Sequence, residues 1–303
     1  MNDLRLSRRA MLATGSAVAA SSLVPPALAQ QTLNLQNPND NLHALVKLRG
    51  DLTGAPVFFW YSGQVTGFVP GEASKPLYHI EGLIRSTWTK LDDGSYQYLA
   101  HDLGFVGDLA TGKPVDSMTN PYTGETVQPI DTRDGPLRGT YTVHGVLRGG
   151  QKPDLEKKLI LPWTISGDDL WIETDLGFTQ PNPLQPKEWP KASSGEEIQI
   201  RFQNTYKGRL SELSNPSITS APATAIYAGH TSWPPWLLMG QVPGFISSKA
   251  IGRKLASLDE VSPVMLSYIE KRAPDFLTNT MPWTENANAW EHYKHERQPL
   301  ESS

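Results

Sequence analysis

Two histidines, His101 and His144, fall in segments that alternate apolar and polar side chains. An imidazole titrates near neutral pH, which suits general acid–base work, although a hydrogen-bonded structural histidine keeps the same company. Glu173 shares an alternating face with Trp171 and Asp175, where burial would raise the pKa of its carboxyl. Arg85 and Arg201 could hold a carboxylate or phenolate on a ligand. They could equally pair with Glu173 or Asp102 as structural ions. His101, His144, Glu173 and Arg85 are therefore the candidate catalytic residues. Arg201, Tyr98, Trp88, Trp163, Trp171 and Asn120 are the candidate substrate contacts, since flat rings stack on aromatic ligands. Core packing is the default role for most of the nine tryptophans. No metal site is expected. His292 and His295 form an H-x-x-H flanked by Glu291 and Glu296, which reads as a charged, solvated tail.

These side chains need a scaffold, and from Pro56 onward the chain supplies short apolar and aromatic runs broken by Gly, Pro and Asp. Residues 57–65, 77–89, 95–103, 139–147, 155–166, 169–176 and 197–206 read as strands. Asp93-Gly94 and Ser166-Gly167-Asp168 mark tight turns. No helical segment separates these strands. The expectation is therefore a mainly β protein, an antiparallel meander closing into a barrel or a strongly curved sheet of calycin- or lipocalin-like form. Tyr96, Tyr98, Ala100 and Asp102 share one face of their strand, opposite Gln97, Leu99 and His101. Alternation leaves open which face turns inward.

Asn39-Asp40-Asn41 can cap a short helix over Leu42, Leu45, Val46 and Leu48, stopped by Gly50, and a second helix is expected over 258–272. In the second, Ser257 with Glu260 and Ser262-Pro263 offer two starts, and Pro274 ends it. Residues 177–194 and 211–224 read as long loops. The aromatic tail from Met281 should pack back on the domain, because three exposed large rings would be costly.

Residues 1–29 look like an address rather than part of the fold. Ser7-Arg8-Arg9 followed by a weakly apolar stretch and Ala27-Leu28-Ala29 fits a twin-arginine export signal with its cleavage site. An ordinary secretory signal holding two arginines is the alternative. The expectation is a periplasmic or secreted protein, handled by the twin-arginine machinery, whose residues 30–303 form one β-rich domain with a C-terminal helical extension.

Composition removes several classes. Without cysteine there is no thiol nucleophile, disulfide scaffold or zinc ribbon. A net charge of −4 with no basic run makes a poor nucleic-acid binder. The apolar run of the leader is too short for a stable membrane anchor. P-loop, Rossmann, nucleophile-elbow and zincin motifs are absent, and no cofactor is expected.

One phrase goes further. Asn120-Pro121-Tyr122-Thr123-Gly124-Glu125 resembles the hallmark of domain-of-unknown-function family 1838, known from proteobacteria and fungi. Lys47-Leu48-Arg49-Gly50, Glu81-Gly82 with Arg85, Trp233-Pro234-Pro235-Trp236 and Arg253-Lys254-Leu255 support the likeness over residues 42–298. The resemblance implies membership without an activity. Physically, the Asn120 phrase reads as a structural turn or as the wall of a site. The functional expectation is a cofactor-independent lyase, isomerase or hydrolase acting on a hydrophobic aromatic or polycyclic small molecule in a Trp-lined cavity. The alternative is a non-catalytic, lipocalin-like binding protein for such a ligand.

Overall fold

The computed structural model describes residues 33–148, 156–158, 160–285 and 288–299. The leader expected over residues 1–29 lies outside them. Among the described residues, no helix is long and apolar enough to cross a membrane.

The chain enters through α1 (Pro38–Arg49), capped by Asn37, whose side chain accepts from the amides of Asn39 and Asp40. Among the described residues thirteen strands follow, beginning with β1 (Val57–Phe68), β2 (Lys75–Lys90), β3 (Tyr96–Gly107), β4 (Met118–Thr119), β5 (Thr126–Val127), β6 (Thr132–Tyr141) and β7 (Val146–Arg148). Next come β8 (Glu156–Lys158), β9 (Thr164–Ser166), β10 (Asp169–Pro181), β11 (Glu197–Arg209), β12 (Thr224–Thr231) and β13 (Phe245–Lys254). Helix α2 (Leu210–Ser214) follows β11, while α3 (Pro263–Arg272) and α4 (Ala289–Glu296) close the chain. Strands β4 and β5 pair only with each other. The other eleven form one antiparallel sheet in the order β8-β7-β6-β3-β2-β1-β13-β12-β11-β10-β9, curled into a half-barrel. The expected mainly β, strongly curved sheet with N- and C-terminal helices is thus what the sequence forms.

The curl can be read from one side chain. Strands β3 and β11 lie five positions apart, so their axes would be about 24 Å apart in a flat sheet. Yet the Arg49 guanidinium carbon at the end of α1 lies 5.4 Å from the Tyr98 ring on β3 and 4.5 Å from the Tyr206 ring on β11. Tyr98 and Tyr206 must therefore face each other across the concave side. Gly50 lets α1 end this deep, because a Cβ there would sit 2.1 Å from Trp88.

Three apolar clusters hold the fold. Helix α1 packs Leu42, Leu45 and Leu48 into one end of the trough with Phe59, Trp88, Ile172 and Tyr206. At the other end Trp189, Trp233, Trp236, Trp290 and Tyr293 pack on Val65, Tyr78, Ile198 and Ile246, so the aromatic tail does fold back. On the convex side α3 covers Phe58, Leu83, Leu103 and Phe105 with Met265, Tyr268 and Ile269. Ser262 caps α3 and donates to Glu81 on β2, which also accepts from Trp60, fixing the helix to the sheet.

Several elements differ from the sequence-based expectation. The span 155–166 holds two short strands, β8 and β9, with Pro162 between them unable to donate to a ladder. The span 139–147 breaks at the turn containing His144, where Gly145 takes φ 75°. Strand β10 runs on to Pro181 because β11 pairs with it residue by residue, overriding a loop-like composition. Residues 210–214 form a helical turn that buries Leu213. Helix α4 follows an Asn288–Glu291 capping box.

Candidate functional site

The concave face between the two end clusters carries the polar side chains. By register, Tyr61 on β1, Tyr98 and Asp102 on β3, Tyr206 on β11 and Tyr227 on β12 all point into it. An irregularity in the β3–β6 pairing adds Asp134. Two residues of β3, from Ala100 to Asp102, span three on β6, from Leu137 to Asp134. This bulge resets the alternation, so Asp134 and Tyr141 face the same side.

Tyr61 lies flat over β2, where Gly82 makes room: a Cβ would meet its ring at 2.3 Å. Its hydroxyl donates to Asp102 Oδ1 at 3.0 Å. Burial and the neighbouring Asp134 carboxylate push Asp102 up to about 8, while the Tyr61 bond pulls the other way. Burial raises Asp134 to about 6, against the lowering influence of His292. Two facing carboxyls thus hold unequal shares of protons near neutrality, with Asp102 the more protonated. Burial also raises Tyr61, Tyr98 and Tyr227, so these phenols keep their protons. The Tyr227 hydroxyl is buried beside the Tyr206 phenol and makes no hydrogen bond of good geometry.

Arg49 forms the other pole. Trp88, Tyr98 and Tyr206 lie against its guanidinium, and its one hydrogen bond among the described residues is a 3.5 Å contact to the Tyr98 hydroxyl. No carboxylate pairs with it among the described residues. Its position is set by Lys254, whose buried ammonium donates to the carbonyls of Lys47 (2.7 Å) and Gly50 (2.9 Å) and to Ser220 Oγ (3.0 Å). Burial lowers Lys254 to about 7. Beyond Tyr227, the trough wall on β10 and β11 exposes Leu176, Phe178 and Phe202. An open depression of about 550 Å³ lies at the edge of this stretch of β10 and β11, lined also by the convex-parity residues Arg201, Gln203 and His230.

Of the residues chosen from sequence, Trp88 and Tyr98 stand in this trough. Trp163 packs at its α1 end. Arg85 and His101 are cross-strand neighbours on the convex face, where His101 Nε2 donates to the Trp283 carbonyl at 3.2 Å. Glu173, Trp171 and Arg201 also fall on the convex parity of their strands, with Glu173 and Arg201 exposed. His144 is exposed in its turn. Asn120 is fully buried, bonding the Leu237 carbonyl, Met239 sulfur and Tyr122 amide, as a turn brace does. No cluster of three metal-ligating side chains occurs among the described residues.

Arg49, Tyr61, Asp134, Tyr206 and Tyr227 were not reachable as a site from composition. The Lys47-Leu48-Arg49-Gly50 phrase was the available signal, because it ends a helix on a charged residue beside a glycine. The concave face beside Arg49 carries phenols more than indoles, and Trp88 is the tryptophan that lies against its arginine.

Fold and site together define an antiparallel half-barrel protein with a charged, phenol-lined trough on its concave face. Residues 54–297 match the sequence model of the family described as "Protein of unknown function (DUF1838)", and the chain belongs to that family. The match begins just after Arg49. No curated protein matches the chain.

Proposed function

We propose that this protein is a cofactor-independent enzyme, a lyase, isomerase or hydrolase, acting on a hydrophobic aromatic or polycyclic small molecule held in the trough. The carrying observation is the Tyr61–Asp102–Asp134 group, in which one carboxyl is raised to about 8 and its neighbour to about 6. Paired groups with separated pKa values supply an acid and a base in one site at neutral pH. Asp102 donates a proton to the substrate, Asp134 accepts one, and Tyr61 orients Asp102. The apolar wall of Leu176, Phe178 and Phe202 gives an aromatic body somewhere to rest. The leader sequence supports a periplasmic or secreted location.

Turnover of a panel of aromatic esters, enones and hydroxy acids, followed by mass spectrometry, tests this reading. Activity should peak near pH 7, falling below about 6 as Asp134 gains its proton and above about 8 as Asp102 loses its own. Asp102→Asn and Tyr61→Phe should each lower kcat about 100-fold while leaving the circular dichroism spectrum intact. Unchanged rates in both variants would remove these residues from the chemistry. Saturable binding with no product from any compound would favour the second reading, a non-catalytic lipocalin-like carrier, for which the exposed apolar wall is the supporting observation.

A further inference from the structure

Resting on the reading that the trough takes an aromatic small molecule, we infer that the ligand is an anion: a planar aromatic carboxylate or phenolate whose charged oxygen is held by Arg49. Four observations converge. The guanidinium carbon lies 4.5, 5.4 and 5.9 Å from three ring centroids, so aromatic faces are its main neighbours. No acidic side chain neutralises it among the described residues, and its one hydrogen bond is long. An unpaired charge in such a place is unfavourable until an anion arrives. The arginine is also held in place in advance: α1 is anchored by Lys254, so little ordering remains to be done on binding.

The spacing of charges supports the same polarity. The rings form a chain between the poles: Tyr206 lies 4.5 Å from the Arg49 guanidinium carbon, Tyr227 lies 6.0 Å from Tyr206 and 5.6 Å from Tyr61, and Tyr61 donates to Asp102. A ligand with its anion at Arg49 thus extends its ring system across Tyr206 and Tyr227 toward Tyr61 and Asp102. The Tyr227 hydroxyl, buried beside Tyr206 with no hydrogen bond of good geometry, lies along that path and can donate to a ring substituent. A cationic aromatic would meet Arg49 as a like charge and is excluded. A neutral one forgoes the guanidinium, whose planar fork matches a carboxylate in two hydrogen bonds.

The test uses three matched pairs: benzoate with benzamide, 2-naphthoate with 2-naphthamide, and 1-pyrenecarboxylate with 1-pyrenecarboxamide. Binding to the purified wild-type protein is measured by calorimetry and tryptophan quenching. The carboxylate should bind at least about tenfold tighter than its amide in the best pair, a difference of about 1.4 kcal/mol. Arg49→Met should erase that preference, and Arg49→Lys should retain part of it. The wild-type comparison stands even if Arg49→Met fails to fold. Equal affinity of acid and amide overturns the anion assignment but leaves an aromatic site in place. Absence of binding by all six compounds to 1 mM overturns the assignment together with the aromatic reading.

Discussion

Charged side chains in this protein differ sharply in how they are satisfied. Arg49 has aromatic rings, Lys254 has three acceptors, and Arg85 has neither among the described residues. Arg85 is 4% exposed, its Nε lacks a partner, and no described carboxylate pairs with it. Burial accordingly lowers its pKa. A buried cation without a partner costs stability, and an apolar side chain of similar length avoids the cost. Arg85→Met should therefore stabilise the protein by about 1 kcal/mol or more in urea unfolding. A lower midpoint would mean that Arg85 has a partner in solution, which would return it to the list of working residues.

At the level of elements, the site depends on the union of α1 with β13. Lys254→Met would leave the Lys47 and Gly50 carbonyls without their donor, costing about 2 kcal/mol. Lys254 titrates at about 7 when folded and near 10.4 when unfolded, so the unfolded chain holds more protons between those values. The wild type should consequently gain stability relative to Lys254→Met as pH rises from about 7 to about 10. Parallel urea titrations at pH 6.5 and 9.5 check both the size and the sign. Strand alternation and turn chemistry made most of these elements legible in advance: α1, the β1–β3 hairpins and the second start of α3 at Ser262-Pro263 all read directly from pattern. Facing was not legible. Tyr98 and His101 alternate on one strand, and only the long-range curl that brings β11 toward β3 decides that Tyr98 lines the trough. Asp134 was hidden for a related reason, since a bulge shifts parity without changing composition.

For the whole molecule, the proposed export adds a requirement outside the folded part. Residues 1–29 fused to a reporter should deliver it to the periplasm, and replacing Arg8 and Arg9 by lysine should retain it in the cytoplasm. Delivery that persists after the replacement would assign the leader to the general secretory route. The trough itself joins distant parts of the chain: the lysine that seats α1 comes 207 positions after the helical carbonyl it holds. A nascent polypeptide therefore cannot assemble this trough until its final third, as far as β13, has left the ribosome. On the proposed reading, ligand binding would report completed synthesis, and fragments that stop short of β13 should not bind.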